Sequence, residues 1–509
     1  MHIRTRALRR ATAAAVVAAA IDLALTQAGT ADPITSFTAG DLVISTVSCS
    51  VGAACNSSSS GNGLDTAAPI VLQELQLGAG GTSATSVGTL TLPQVSSGAN
   101  SAISGEYGSA SEGVLQLSAN GQYLTIMGYG VNANTFNGAP TSTYGTAALG
   151  QTTSLTVAQQ TGTPVTTVPR VVGLIGANGS IDTSTALTGV FNQNNPRSVA
   201  TVDGSTFYVS GQGASKTDPT QGVFLATRGA TTATPIDNST DTRVVSIVNN
   251  GSGNTLYVSR DQNPPGSGSQ NFTNVSSLTG PGGGLPTSSA GLVTTHITPP
   301  ASPLSSGGNN GSINLTAGLA NGVNNSRIGS FVYLSPESYF FASPTVLYVA
   351  DSGQPKNGNA NKAALGEGGL QKWVLTSGVW TLAYDLVNGL NLVNNANANS
   401  NTPTAAGVTG LFGLTGKVVG DTVELFATSY GLNELSDSFL YEITDDLADT
   451  TIAEAGSEDF TTLLTAGPDE LIRGVSFAPE AVPEPGSLAI LLAGLGGLVV
   501  MRRRKARFA

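Results

Sequence analysis

The chain has 509 residues, 64 of them Gly and 24 Pro, with 10% charged and 6% aromatic residues and 40% hydrophobic residues carried mainly by Ala, Val and Leu. That length can bury a sizeable core. Low charge with a positive mean hydropathy excludes simple disorder, and Gly without a three-residue period excludes collagen. The net charge of −11 is unevenly spread: nine of the 21 basic residues lie at the ends, at Arg4, Arg6, Arg9, Arg10, Arg502, Arg503, Arg504, Lys505 and Arg507. From Asp32 to Val482, twelve Lys and Arg stand against thirty Asp and Glu, a net of −18. Such a body repels phosphate backbones and has no basic stripe to release counterions, which excludes nucleic acid as a partner.

Residues 1–31 have a basic start, a small apolar run from Ala11 through Ile21 and a small-residue end at Ala28-Gly29-Thr30-Ala31. This is the order of a secretory signal peptide, with cleavage expected after Ala31 or Ala28. The polar Asp22 sits awkwardly near the end of the apolar run. Cys49 and Cys55, the only cysteines, follow with five residues between them. In an exported protein that spacing predicts a small loop disulfide. A metal site is disfavoured, because His296 is the only histidine outside the signal and two thiolates need further ligands.

From residue 32 to 480 the pattern predicts an all-β body of short strands separated by Gly, Asn, Asp, Ser and Pro. Strands are expected at Leu42–Ser45, Tyr123–Met127, Gly222–Ala226 and Val423–Ala427. Arg197–Val202, the turn Asp203-Gly204 and Thr206–Ser210 form one predicted hairpin. Arg243–Val248, an Asn/Gly/Ser turn and Thr255–Ser259 repeat it 46 residues later. Thr345–Val349 and Gln122–Leu124 echo the second strand of the unit. A hairpin recurring at 40–50 residues predicts a β-propeller-like repeat of six or seven blades. Arg473–Phe477 reads as a first strand whose partner never arrives, and Leu42–Ser45 is the expected partner that closes the ring. A pair of β-sandwiches or a β-solenoid is the other architecture the pattern allows.

Gly280–Gly311, rich in Gly, Pro and Ser, and the Asn-rich stretch Asn391–Asn401 are expected as surface loops. His296, near Pro299-Pro300, is read as a solvated or structural histidine. Gly416-Lys417 resembles the end of a phosphate loop, but Leu411 and Val418 occupy the positions of its first glycine and its hydroxyl residue. Gly410–Leu414 is therefore expected to be a strand followed by a turn. No nucleophile elbow or His-Glu-x-x-His stretch is present, and no catalytic residue is assigned. Of the rings that could stack on sugars, Tyr129, Tyr144, Trp373, Trp380 and Tyr430, the two tryptophans flank a turn at Thr376–Gly378 and are expected to pack across strands.

Residues 421–480 hold fourteen acids against Arg473 alone. The cluster includes Glu434, Asp437, Glu442, Asp445, Asp446, Asp449, Glu458, Asp459, Asp469 and Glu470. Calcium capture is one reading and paired carboxylates cleaving a sugar linkage another. Without EF-hand or Gly-x-Asp spacing, a solvated acidic face that keeps the protein soluble is favoured, and no cofactor is assigned.

The C-terminus is the most specific segment. Val482-Pro483-Glu484-Pro485-Gly486 precedes the apolar run Leu488–Met501 and then Arg502-Arg503-Arg504-Lys505. The seventeen residues from Pro485 to Met501 are just long enough for a membrane-spanning helix. The basic cluster after them predicts a cytoplasmic terminus, leaving the body outside the inner membrane. This end resembles the PEP-CTERM sorting signal of Gram-negative bacteria over residues 482–505. The resemblance implies that Pro483, Glu484 and Pro485 are the motif recognised by exosortase, an integral-membrane cysteine transpeptidase-like enzyme. It also implies delivery to the cell surface or extracellular matrix, usually in organisms that make exopolysaccharide. The expected organisation is a signal peptide at 1–31, a propeller-like extracellular body at 32–480, and a sorting signal with transmembrane helix and basic tail at 481–509. The expected role is structural or binding, associated with exopolysaccharide; the alternative is a polysaccharide hydrolase or lyase on a propeller scaffold.

Overall fold

The computed structural model describes residues 32–49, 65–109, 111–215, 217–249, 251, 253–260, 274–298, 312–314, 331–353, 368–390, 392, 408–431, 437–467 and 469–481. The signal segment 1–31, Cys55, Glu434, residues 299–311, nearly all of the Asn-rich stretch, and the sorting segment from 482 with Pro483, Glu484 and Pro485 lie outside them. Among the described residues no helix is long and apolar enough to cross a membrane.

The architecture is all-β and propeller-like, built from antiparallel strands paired mostly with their neighbours in sequence. A nine-stranded sheet contains β1 (Leu42–Ser48), β2 (Ala67–Leu77), β3 (Ala84–Thr91), β4 (Ser104–Glu106), β5 (Gln116–Leu117), β6 (Tyr123–Tyr129), β7 (Arg170–Gly176) and β8 (Ile181–Leu187). Four separate four-stranded sheets follow. They comprise β9 (Pro196–Ala200) to β12 (Thr234–Asp237) through β10 (Thr206–Gly211) and β11 (Gly222–Thr227), and β13 (Val245–Asn249) to β16 (Val293–Thr298) through β14 (Asn254–Arg260) and β15 (Asn274–Thr279). After a short pair, β17 (Ser312–Asn314) with β18 (Phe331–Tyr333), come β19 (Pro336–Ser343), β20 (Val346–Asp351), β21 (Gly369–Thr376) and β22 (Val379–Leu386). The last sheet holds β23 (Val408–Val419), β24 (Thr422–Gly431), β25 (Phe439–Asp446) and β26 (Thr461–Thr465). The final strand, β27 (Glu470–Phe477), returns to the nine-stranded sheet and pairs antiparallel with β1, Leu42 opposite Phe477 and Val47 opposite Leu471.

The repeated hairpins become the first two strands of successive sheets: β9 with β10 and β13 with β14. The echoes at Gln122 and Thr345 start β6 and β20. In the first hairpin the Asp203 carboxylate accepts from the Ser205 amide at 3.0 Å, and Gly204 takes the positive φ of +81° that the turn requires.

The strands bury both faces because alternate side chains enter different clusters. On β10, Phe207 and Val209 pack with Met127, Val172 and Leu174 from the nine-stranded sheet. Tyr208 between them packs with Val245, Leu256 and Val258 of the next sheet. Each fully buried Val, Leu or Phe stabilises by about 1.5–3 kcal/mol, so neighbouring sheets are held face to face by the strand period itself. Buried ion pairs supplement that packing. The Arg at the start of each repeat reaches the following sheet: Arg197 binds Asp241 and the Thr242 carbonyl, and Arg243 lies 3.5 Å from Glu337.

Three expectations need correction. The Gly/Pro/Ser-rich stretch after Gly280 is not all loop, since it contains β16, whose Ile297 enters a core cluster. His296 sits on that strand rather than in a loop, with Nδ1 3.0 Å from the Ser276 hydroxyl. The strand through Gly410–Leu414 does not turn there; it runs to Val419, and Lys417 pairs across it with Glu424. Cross-strand pairing with β15 and β24 extends these segments where local composition predicts a break.

Val43 is buried between two strands, opposite Glu74 on β2 and Ser476 on β27. Proline there removes a donor and forces the backbone, costing about 3 kcal/mol or more. We expect Val43→Pro to lower the calorimetric melting temperature sharply, with Val87→Thr on the exposed β3 nearly neutral; an unchanged Val43→Pro transition contradicts the pairing.

Candidate functional site

An open cleft of about 610 Å³ on the described surface is lined by Asp65, Glu106, Ser109, Ser111, Thr146, Gly150, Gln151 and the loop Gln193-Asn194-Asn195. The short strand β4 carries Glu106 to this point by pairing with β2, Ala67 opposite Glu106, and with β6, Ser104 opposite Tyr129. The chain then turns so that Ser109 and Ser111 accept from Asn195 Nδ2 at 2.5 and 3.2 Å. Gly150 forms part of the floor. A Cβ on it would meet Glu106 Oε2 at 2.5 Å and Asn195 Oδ1 at 2.7 Å, so only glycine lets both side chains close over that backbone.

Arg170 on β7 holds the walls. Its guanidinium is fully buried, stacked 4.8 Å from the Tyr129 ring centroid. It donates to the carbonyls of Thr152, Val168, Phe191 and Asn194. Two of the residues in the wall it fixes, Phe191 and Gln193, have φ of +50° and +56°. Positive φ in non-glycine residues costs of order 1–3 kcal/mol each and persists only where surrounding contacts impose it.

Behind Glu106 lies Glu112, whose carboxylate accepts from the Glu106 amide. Burial pushes Glu112 up to about 7, against the opposing pull of that hydrogen bond, of Tyr129, and of Arg473 and Arg170. The Tyr129 hydroxyl donates to Asn195 Oδ1 at 3.4 Å, and burial beside Glu112 raises it well above the usual phenol. The cleft therefore presents amide groups, hydroxyls and carboxylates, with no Lys, Arg or His among its described lining residues. Such a surface can bind a polyhydroxyl ligand by hydrogen bonds.

A second groove, of about 540 Å³, is lined by Tyr257, Ile297, Phe341, Pro344 and Trp380. Phe341 packs on Tyr257 with ring centroids 4.6 Å apart and meets Trp380 edge-on at 6.2 Å. Of the five rings noted in the sequence, Trp380 alone lines either groove. Tyr129, Tyr144, Trp373 and Tyr430 are buried, and Trp373 and Trp380 flank the β21–β22 turn without facing one another, opposite Leu382 and Leu375 respectively.

The described acids of 421–480 do not form one site. Asp445 is buried against Lys372, Glu424 pairs with Lys417, and Glu454 accepts from Thr450 and Thr451 at the start of a short helix. Among the described residues no group of three or more His, Cys, Asp or Glu is placed to hold a metal ion. The cleft residues were missed in the sequence because Glu106, Glu112, Gly150 and Asn195 share no motif; the pairing of β4 brings them together.

Residues 481–505 match the PEP-CTERM protein-sorting motif, and the rest of the body is not covered by a family. The motif implies export, membrane-anchored sorting and processing by exosortase. No curated protein matches the chain. Solved structures with weak similarity include a GH32 β-fructofuranosidase of Bombyx mori, 11% identical with a TM-score of 0.25, covering 67% of this chain and 65% of that one. Another is the endosialidase of phage phi92, 10% identical with a TM-score of 0.24, covering 72% and 51%. The chain thus spans less than two thirds of either.

Because its native carboxyl titrates above its unfolded value, Glu112 favours folding while protonated, and that contribution is lost as pH rises from about 4.5 through about 7. The neutral isostere Glu112→Gln still accepts from the Glu106 amide. We expect its stability relative to wild type to improve by roughly 1–3 kcal/mol between about pH 5 and about pH 8 in thermal melts; a pH-independent difference contradicts the assignment.

Proposed function

We propose that this chain is an exported six-bladed propeller that binds neutral exopolysaccharide at the cell surface or in the matrix. The observation that carries the ligand class is the cleft lining: amide and hydroxyl groups, with Asp65 and Glu106 the only charged side chains among the described lining residues. Those acids disfavour an anionic polymer, and the lack of an apolar floor disfavours a hydrophobic ligand. The partly exposed Trp380 in the second groove supplies a ring on which a sugar face can stack.

The blade count rests on splitting the nine-stranded sheet at β2. Its β27–β1–β2–β3 and β5–β6–β7–β8 sets then join the four separate sheets. In this reading residues 1–31 direct secretion, 32–480 form the extracellular body, and 481–509 supply the sorting signal, spanning the inner membrane before processing. Cys49, just past β1, and Cys55 close a small disulfide loop.

A second reading, cleavage of the polysaccharide, is favoured by Glu106 and Glu112 standing together, one lining the cleft and one titrating near neutrality. One assay separates the two. The mature secreted protein is mixed with the host's purified exopolysaccharide, and co-sedimentation and new reducing or unsaturated ends are followed together. Binding without new ends is the expected outcome, weakened about tenfold or more by Asn195→Ala. New ends that vanish in Glu106→Gln would make the protein an enzyme, and no co-sedimentation would remove the ligand assignment.

A further inference from the structure

Apart from the cleft, a buried polar cluster lies where β20, β21 and β22 face β25. Lys372 on β21 and Asp445 on β25 each have 0% side-chain exposure. Lys372 Nζ donates to Asp445 Oδ2 at 2.8 Å, to the Tyr384 hydroxyl at 2.9 Å and to the Asp446 carbonyl at 2.6 Å. Tyr384 in turn donates to Asp445 Oδ1 at 2.6 Å, and Tyr348 donates to Oδ2. The amine lies 5.2 Å from the Tyr384 ring centroid and 5.7 Å from that of Tyr348. Glu458, after the short helix Ile452–Ala455, completes the group by hydrogen bonding to Asp445 and accepting from the Asp446 amide at 3.4 Å.

We propose that Lys372 and Asp445 condense to an intramolecular isopeptide bond that covalently joins the β19–β22 sheet to the β23–β26 sheet, with Glu458 as proton carrier. Several physical features converge on this reaction. An ion pair wholly removed from water carries a desolvation cost of several kcal/mol per charge, which a neutral amide does not. The amine and the carboxyl are already in contact, so no search for the partner is needed. Both carboxyl oxygens face tyrosine hydroxyls, donors positioned where negative charge collects when nitrogen adds to Cγ. Burial, followed by the hydrogen bond to Asp445, pushes Glu458 up to about 9, so it carries a proton at neutral pH. Glu458 is also only half-buried, which gives the product water a way out.

The step balances without a redox partner. Nζ gives one proton to the Asp445 carboxylate, and its lone pair then forms the C–N bond at Cγ. Glu458 protonates the departing oxygen and recovers a proton from the nitrogen as the C–O bond breaks. The ammonium and the carboxylate become one secondary amide and one water.

Peptide mapping tests this directly. The purified mature protein is reduced, denatured, digested with trypsin and analysed by mass spectrometry. The expected product is a branched pair joining Lys372 to Asp445, lighter than its two separate peptides by one water, with no cut after Lys372. Lys372→Arg should give only separate peptides. Glu458→Gln, which keeps both reacting groups, should form the joined pair about a hundredfold more slowly. Wild-type protein that yields only separate peptides after prolonged incubation at neutral pH overturns the bond. A Glu458→Gln protein that joins as fast as wild type overturns the role of Glu458.

Discussion

The pairing of β27 with β1 is the constraint on which the rest of the molecule depends. A row of sheets stacked face to face leaves unpaired strand edges and uncovered apolar faces at its two ends. Here the last strand lies beside the first, and Leu42, Ile44, Ile472 and Val475 pack against Phe426 and Leu440 of the preceding sheet. The same junction reaches the cleft. Ser45 Oγ donates to the Gly113 carbonyl and accepts from the Gly474 amide, and Arg473 donates to the Tyr107 carbonyl at 3.0 Å. Gly474 has no room for a side chain, since a Cβ would stand 2.4 Å from the Leu115 amide. Closure therefore fixes the segment Tyr107–Leu115, which carries Ser109, Ser111 and Glu112.

Apolar packing gives the sheets their cohesion, and buried polar contacts fix which neighbour meets which. Arg197 with Asp241 and Arg243 with Glu337 link successive sheets at one level of the stack. Such pairs add little net stability over apolar residues of the same size, because each charge is taken out of water. Removing one partner leaves the other buried and uncompensated, so a mis-stacked sheet is heavily penalised. Lys372 and Asp445 apply the same rule to the last two sheets, and their contact geometry is what allows that penalty to become a covalent bond.

Much of the architecture is legible in the sequence because hairpins are local. Asp203-Gly204 specifies a turn by its own backbone chemistry, and the Thr-Phe-Tyr-Val-Ser and Thr-Leu-Tyr-Val-Ser segments specify strands by alternation. The closing partner could be named because Arg473–Phe477 repeats the first strand of the unit and no second strand can be read before the sorting tail. Strand β16 was hidden because its neighbours are Gly, Pro and Ser, and only pairing with β15 makes it a strand. The cleft was illegible for a different reason. Glu106, Gly150 and Asn195 meet through sheet pairing and through Arg170, whose isolated position in the sequence gives no hint of the carbonyls it gathers. Counting acids pointed instead to 421–480, where they serve separate local contacts.

Hydrogen exchange across the closing strands tests the account most directly. If β27 closes the body, amides in Leu42–Val47 and Leu471–Phe477 should exchange together and as slowly as those of the central strand β10, opening only with the whole fold. Fast exchange of Leu471–Phe477 while β10 stays protected would show the last strand to be a frayed edge, and would remove the support it gives to the cleft.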